Sequence, residues 1–149
     1  MIKLNDIMTG INIVLVEAHP KYKVYPQRCP KDFKRPSFLL EYVKTIPKDV
    51  NRSTVEKTVY FTITCFTYID EYYRSKADDL SEIQEDVMQL LSAGYITVGD
   101  RAIKVKGSTG GIDSDRAYID LQFEFFDNRT DAMDTTPLVA SVNTNLEEV

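Results

Sequence analysis

The chain has 149 residues, 43% of them hydrophobic and 11% aromatic, with nine Tyr, seven Phe and no Trp. A globule of this length buries about 70% of its unfolded surface, enough for one core without metal or disulfide staples. The formal net charge is −5, with acidic and basic residues mixed along most of the sequence, which argues against general affinity for nucleic acid or anionic membrane.

The two cysteines, Cys29 and Cys65, have no CxxC spacing. Cys65 lies in the apolar run Tyr60–Tyr68, where a thiol behaves as a small hydrophobe. Nothing indicates export, so no disulfide is expected. The apolar stretch Ile11–Val16 is too short and interrupted for a signal-peptide core, and no small-residue cleavage site follows. No window reaches the ~18 apolar residues of a membrane span. The expectation is a soluble, intracellular chain.

Leu4, Ile7, Ile11, Val14, Leu15 and Ala18 recur at three- and four-residue spacing and predict a first helix. Asn5 or Asp6 would cap it and Pro20 would stop it. Gly10 weakens it by about 1 kcal/mol relative to Ala. Tyr22–Pro26 reads as a short extended piece. Gln27–Pro36 reads as a loop carrying the basic residues Arg28, Lys31, Lys34 and Arg35. Ser37–Thr45 predicts a strand buried on both faces around Leu39 and Leu40, and Pro47–Ser53 a polar turn.

The clearest strand is Val55–Asp70. Val55, Val59, Phe61, Ile63 and Cys65 fall on one face, with Lys57 the one charge among them. Glu56, Thr58, Tyr60, Thr62, Thr64, Phe66 and Tyr68 fall on the other, a Thr- and aromatic-rich face expected to be partly covered. Ser75–Ala93 predicts the strongest helix, with Leu80, Ile83, Val87, Leu90 and Leu91 inside. Asp78, Asp79, Glu82, Glu85 and Asp86 lie outside, the acids of the first turns complementing the helix N-terminus. Gly94 is placed to be the C′ residue.

Two short strands follow, Tyr95–Val98 and Ala102–Lys106, joined by Gly99-Asp100-Arg101. Gly107–Asp115 reads as a flexible hairpin loop. In the last strand Ala117, Ile119, Leu121, Phe123 and Phe125 alternate with Tyr118, Asp120, Gln122 and Glu124. From Asn128 to Val149 the periodicity ends in a polar, acidic segment read as a flexible tail. The expected class is α+β: an antiparallel or mixed β-sheet with two main α-helices packed on one side, over residues 1–129, with the tail at 130–149.

A search for chemistry finds no catalytic, cofactor or metal constellation. His19, the only histidine, has no nucleophile or orienting partner suggested by spacing and fits a helix-end dipole partner better. Gly107, Gly110 and Gly111 are followed by a strand and by no Lys-Ser/Thr, unlike a phosphate loop. Asp70-Glu71 and Asp113/Asp115 lack the ligand spacing of a calcium loop. The basic cluster contains Asp32 in an acidic chain, so a solvated loop or an inter-subunit salt bridge is favoured over nucleic acid. Tyr72-Tyr73, followed by Arg74, reads as core support or an interface anchor.

Six segments in order carry a resemblance. They are the opening helix ending in YKVYP, the strand PSFLLEYV, the strand VYFTITCFTYID, the helix DDLSEIQEDVMQLL, the hairpin GYITVGDRAIKVKG and the strand AYIDLQFEFFD. Over Met1–Arg129 the chain resembles the tail terminator family of phages, prophages and phage-tail-like particles of Gram-positive bacteria. The similarity lies in the order and spacing of elements, not in one signature.

The resemblance implies a small α+β subunit without enzymatic activity or cofactor. Such subunits assemble as a ring, usually a hexamer, that caps the head-proximal end of the tail tube and presents a surface for the neck. Implied partners are other copies of the chain, the tail tube protein and a neck or head completion protein, with sheath and tape-measure proteins as further candidates. No sequence-specific nucleic acid or membrane is implied. The implied location is the virion tail, after assembly in the host cytoplasm.

Contact surfaces are then expected on the face of Tyr60, Thr62, Thr64, Phe66 and Tyr68 and on the loop of Arg28, Lys31, Lys34 and Arg35. Tyr72, Tyr73 and Arg74, and the loop of Ser108, Thr109 and Asp113, complete the set. The acidic residues would line a lumen that repels DNA. Two alternatives stand beside this. One is another head–tail connector or tail completion protein. The other is a small ligand-binding or enzymatic α+β domain, which would need a polar pocket.

Overall fold

A computed structural model describes residues 2–128 apart from Tyr73 and Ala93; the segment read as a tail lies outside the described residues. The elements run α1 (Leu4–Ala18), β1 (Lys23–Pro26), β2 (Ser37–Asp49), β3 (Thr54–Phe66), α2 (Ala77–Leu91), β4 (Tyr95–Val98), β5 (Arg101–Ile112) and β6 (Arg116–Asn128). The strands form one six-stranded sheet in the order β1-β2-β3-β6-β5-β4. β1 is parallel to β2 and the other pairings are antiparallel. This is the α+β class the sequence predicts, with a mixed sheet.

The sheet is curled, because α1 packs against both outermost strands, β1 and β4, while α2 packs on β3, β5 and β6. One core joins both helices to one face of the sheet. Ile7, Ile11 and Leu15 of α1 and Leu80, Ile83, Val87 and Leu91 of α2 meet Phe61, Ile63, Ile119, Leu121 and Phe123. Period-2 alternation on β3 and β6 makes this possible: all five predicted apolar residues of each strand are buried.

Several boundaries differ from the sequence reading, each for a local reason. Lys3, not Asn5 or Asp6, is the N-cap of α1, and the Asp6 carboxylate accepts the Lys3 N–H at 3.1 Å. Leu4 and Ala18 of the predicted stripe are exposed, while Met8 is buried. β2 continues through Pro47 to Asp49. β1 lies beside Ser37–Leu40 only, so a proline beyond that point sits on an open edge and breaks no central ladder. The turn that follows is built by Asn51, whose side-chain oxygen accepts the N–H groups of Ser53 and Thr54, both at 2.9 Å.

β3 ends at Phe66 rather than Asp70. The Asp70 carboxylate accepts the N–H groups of Tyr72 (2.8 Å) and Arg74 (3.1 Å), turning the chain out of the sheet. The largest correction concerns Gly107–Asp115. Gly107–Ile112 is not a loop: it extends β5 and pairs with β6 from Gln122 to Ala117, after a register shift between Val105 and Gly107. Gly110 lies under α2, where Gln84 and Met88 fill the space a Cβ would need. Gln84 Nε2 donates to the carbonyls of Gly111 (3.2 Å) and Tyr118 (3.4 Å). Of the three glycines, Gly110 serves helix–sheet approach, while a Cβ at Gly107 or Gly111 would meet open space.

Asp127, which the alternation alone would make apolar, is 4% exposed. Burial acts to raise its pKa, but the N–H groups of Ile2 and Asn128 and the Lys57 ammonium 3.3 Å away together hold it below the ordinary carboxylate value. The lone charge predicted on the inner face of β3 thus has its partner on β6.

Gly10 sets the distance between α1 and β4, since a Cβ there would lie 2.7 Å from the Thr97 carbonyl oxygen. Alanine normally improves a helix interior by about 1 kcal/mol, whereas overpacking costs about 1–3 kcal/mol. Gly10→Ala is therefore expected to lower stability, read as a fall in Tm of about 2–4 °C per kcal/mol. An unchanged or higher Tm would mean that α1 does not approach β4 this closely.

Candidate interaction surfaces

The strand residues that point away from the helices form a second face. The register places Leu39, Thr64, Tyr118 and Gly111 in one row, Glu41, Thr62, Asp120 and Thr109 in the next, and Lys44, Tyr60, Gln122 and Gly107 in a third. The Thr62 hydroxyl donates to Asp120 at 2.8 Å, and the Lys44 ammonium lies 4.8 Å from the Tyr60 ring centre. Lys106 and Glu124 pair at 2.8 Å, which raises the ammonium pKa and lowers the carboxyl's. A shallow depression of about 220 Å³ bordered by Tyr60, Thr109, Asp120 and Gln122 opens beside Gly107.

Tyr60, Thr62, Thr64 and Phe66 thus share the helix-free face. Only Tyr60 and Thr62 of the four keep appreciable exposure, for Thr64 and Phe66 are each 3% exposed. Ser108 and Thr109 lie on β5, not in a loop. Ser108 pairs with the helix-side residue Leu121, so the two do not share a face.

The cover on Phe66 is the basic loop itself. The Phe33 ring lies 4.7 Å from that of Phe66, and the guanidinium groups of Arg35 and Arg116 each lie 5.1 Å from the Phe66 ring centre. Arg35 donates to the Thr67 carbonyl (2.9 Å), the Asp115 carbonyl (3.1 Å) and the Asp115 carboxylate (3.1 Å). Arg116 Nε donates to the same carboxylate at 2.9 Å. Hydrogen bonding from Arg116, and then from Arg35, holds the Asp115 pKa below its ordinary value against the opposing effect of burial. The Tyr25 hydroxyl accepts the Lys34 N–H at 3.0 Å and pins the loop's other side.

The predicted basic cluster therefore divides. Arg35 is consumed inside its own chain and is not available as a contact residue. Arg28, Lys31 and Lys34 are exposed, and no ion pair involves them among the described residues. Tyr68 and Tyr72 are 69% and 73% exposed at the same end of the sheet, and Arg74 is exposed beside them. Asp113 is exposed in the β5–β6 turn, where it accepts the Ser114 N–H at 2.7 Å. Tyr73 lies outside the described residues.

Two residues of this surface escaped the sequence reading. Ile46 and Phe126 are 47% and 53% exposed and flank one end of the helix-free face, in the rows Ile46–Thr58–Glu124 and Lys48–Glu56–Phe126. The Phe125-Phe126 doublet carried a signal, since adjacent aromatics in an alternating strand must point to opposite faces.

On the helix side, a groove of about 310 Å³ runs between α2 and the turn before β1, bordered by His19, Tyr22, Thr67, Asp79, Glu82 and Asp86. The His19 ring packs edge-on against Tyr22 (5.5 Å) and Phe38 (5.8 Å) at the end of α1. Burial, with smaller contributions from nearby negative groups including Asp79 and Asp86, pushes the Tyr22 hydroxyl up to about 12. Burial alone pushes the Cys65 thiol to about 12, so both groups stay protonated. Both cysteines are free. Among the described residues there is no group of three His, Cys, Asp or Glu arranged to hold a metal ion, and no helix long and apolar enough to cross a membrane.

A family model described as phage tail terminator protein matches residues 6–135, most of the chain. No curated protein matches it.

The Arg35 clamp is testable by limited proteolysis. Arg35→Met keeps the aliphatic stem but removes the donors, and is expected to cost about 2 kcal/mol and to speed tryptic cleavage after Arg28, Lys31 and Lys34. Unchanged cleavage would contradict the clamp. Because the folded Asp115 pKa is depressed, the stabilisation is complete above the ordinary value of 3.8 and is lost as pH falls through the lower folded value. Asp115→Asn should flatten that part of the Tm-versus-pH curve.

Proposed function

The chain belongs to the phage tail terminator family, and we propose that its copies close into a ring that caps the head-proximal end of the tail tube. The ring stops tube polymerisation and offers the surface on which the head is joined. The family is a structural one, and its members are components of phage particles.

One observation carries the reading: among the described residues, helices cover only one face of the sheet. The other face ends in exposed Ile46 and Phe126, with Val43 exposed in the neighbouring bulge of β2. The opposite end of the molecule presents Tyr68, Tyr72 and the basic loop. Exposed aromatic and aliphatic side chains grouped in this way mark protein contact surfaces. Two different surfaces on one chain are what a head-to-tail contact needs, and such a contact gives a finite cap only when it closes.

The free side of β2 supports finiteness. Among the described residues this strand has no strand neighbour on that side past Leu40, and it carries Lys44, Pro47, Lys48 and the Val43 bulge. Charges, proline and bulges on an edge oppose unlimited strand-to-strand pairing. Uncontrolled polymerisation through this edge is disfavoured, as a terminator requires. The tube protein and a neck or head completion protein are the proposed partners on the two ring faces.

Particles assembled without the protein should show tubes longer than wild type and unattached to heads in electron micrographs. Tails of normal length joined to heads would contradict capping. Normal-length tails lying apart from heads would assign the chain to the neck instead.

A further inference from the structure

We propose that the groove beside α2 receives a basic side chain from residues 27–36 of a second copy of this chain; the proposal rests on the ring reading above and adds a charged contact to the apolar and aromatic surfaces named there. Asp79, Glu82 and Asp86 line the groove at spacings of three and four on α2. No ion pair involves them among the described residues. Like charges at these spacings destabilise a helix. Only Asp79 belongs to the first turn, where an acid complements the helix dipole. Glu82 and Asp86 lie beyond the first turn and lack that compensation.

A second observation is independent of the acids. Thr67 borders the groove and is 3% exposed, and its hydroxyl has no hydrogen-bond partner among the described residues. Its carbonyl is taken by Arg35, while its side chain continues the helix-side series of Ile63 and Cys65. A buried hydroxyl without a partner is costly, and an incoming ammonium or guanidinium would supply one. An acidic rim over a hydroxyl floor is the chemistry that holds a Lys or Arg side chain.

The complement is present on the same chain. Arg28, Lys31 and Lys34 are exposed and unpaired on a loop that Arg35 and Tyr25 hold in place, so little ordering is needed on docking. The loop packs over Phe66 on the helix-free side, whereas the groove opens on the helix side. The cations thus lie across the sheet from the groove at the same end, where Tyr68 also borders it, and none of them forms an ion pair with its acids among the described residues. A neighbour in head-to-tail arrangement can supply them.

The test mixes ¹⁵N-labelled and unlabelled full-length chains, assembles them with the tube protein and couples touching carboxylates and amines with a zero-length carbodiimide. Mass spectrometry should find mixed-isotope links from Lys31 or Lys34 to Asp79, Glu82 or Asp86. Those links should disappear near 1 M salt, where screening acts within about 3 Å. Lys31→Glu/Lys34→Glu should abolish ring formation, and combining it with Asp79→Lys/Asp86→Lys should restore it. Wild-type rings that lack these links and tolerate the reversals would overturn this contact while leaving the ring intact. Links confined to same-isotope pairs, or made to the tube protein instead, would also overturn it. A wild-type chain that forms no ring would bring down the ring reading, and this contact with it.

Discussion

The rest of the structure depends on the antiparallel register between β3 and β6, unbroken from Thr54–Asn128 to Phe66–Arg116. Because the side-chain period of a strand is two, this register decides which residues join the core and which remain outside. It aligns Val59, Phe61 and Ile63 with Phe123, Leu121 and Ile119 under the helices, and it aligns Tyr60 and Thr62 with Gln122 and Asp120 on the other side. A slip of one residue would turn the slipping strand's apolar set away from the helices. It would bury Glu56 if β3 slipped or Glu124 if β6 did, and would separate Lys57 from Asp127, so the alternative register leaves charge buried without a partner.

From that division follows the molecule's asymmetry. Both helices are spent on one face, where α1 reaches β1 and β4, and among the described residues no helix packs on the other. The chain covers only the Phe66 end itself, folding the basic loop over it with Phe33 and Arg35. What stays open is a mixed polar and aromatic surface with an apolar end at Ile46 and Phe126. The aromatic ends, basic loop and acidic groove are the surfaces through which the proposed contacts between copies and with the tube would be made.

How much of this was legible in the sequence depended on how local the cause was. The alternation on β3 and β6 and the apolar stripe of α2 were readable because periodicity is a local property, and they fixed the α+β class. Gly107–Ile112 was not readable as a strand: its composition is that of a loop, and its pairing comes from β6 and its packing from Gln84 on α2. Pro47 was misread for a similar reason, since only the sheet order shows that β2 is open there. Arg35 looked like its exposed neighbours Lys31 and Lys34; its role comes from Asp115, eighty residues away in sequence. The Tyr60 and Thr62 surface was visible in the alternation, whereas the burial of Thr64 and Phe66 beside it required the loop to be seen in place.

The central claim is that copies of this chain close on one another at the tube end. Mass photometry of the purified full-length protein, with and without short tubes of the tail tube protein, tests this most directly. The account predicts that the tubes drive free protomers into a single discrete species at one integer multiple of the protomer mass. Protomers that stay monomeric beside tubes, or an open ladder of ever larger multiples, would contradict it.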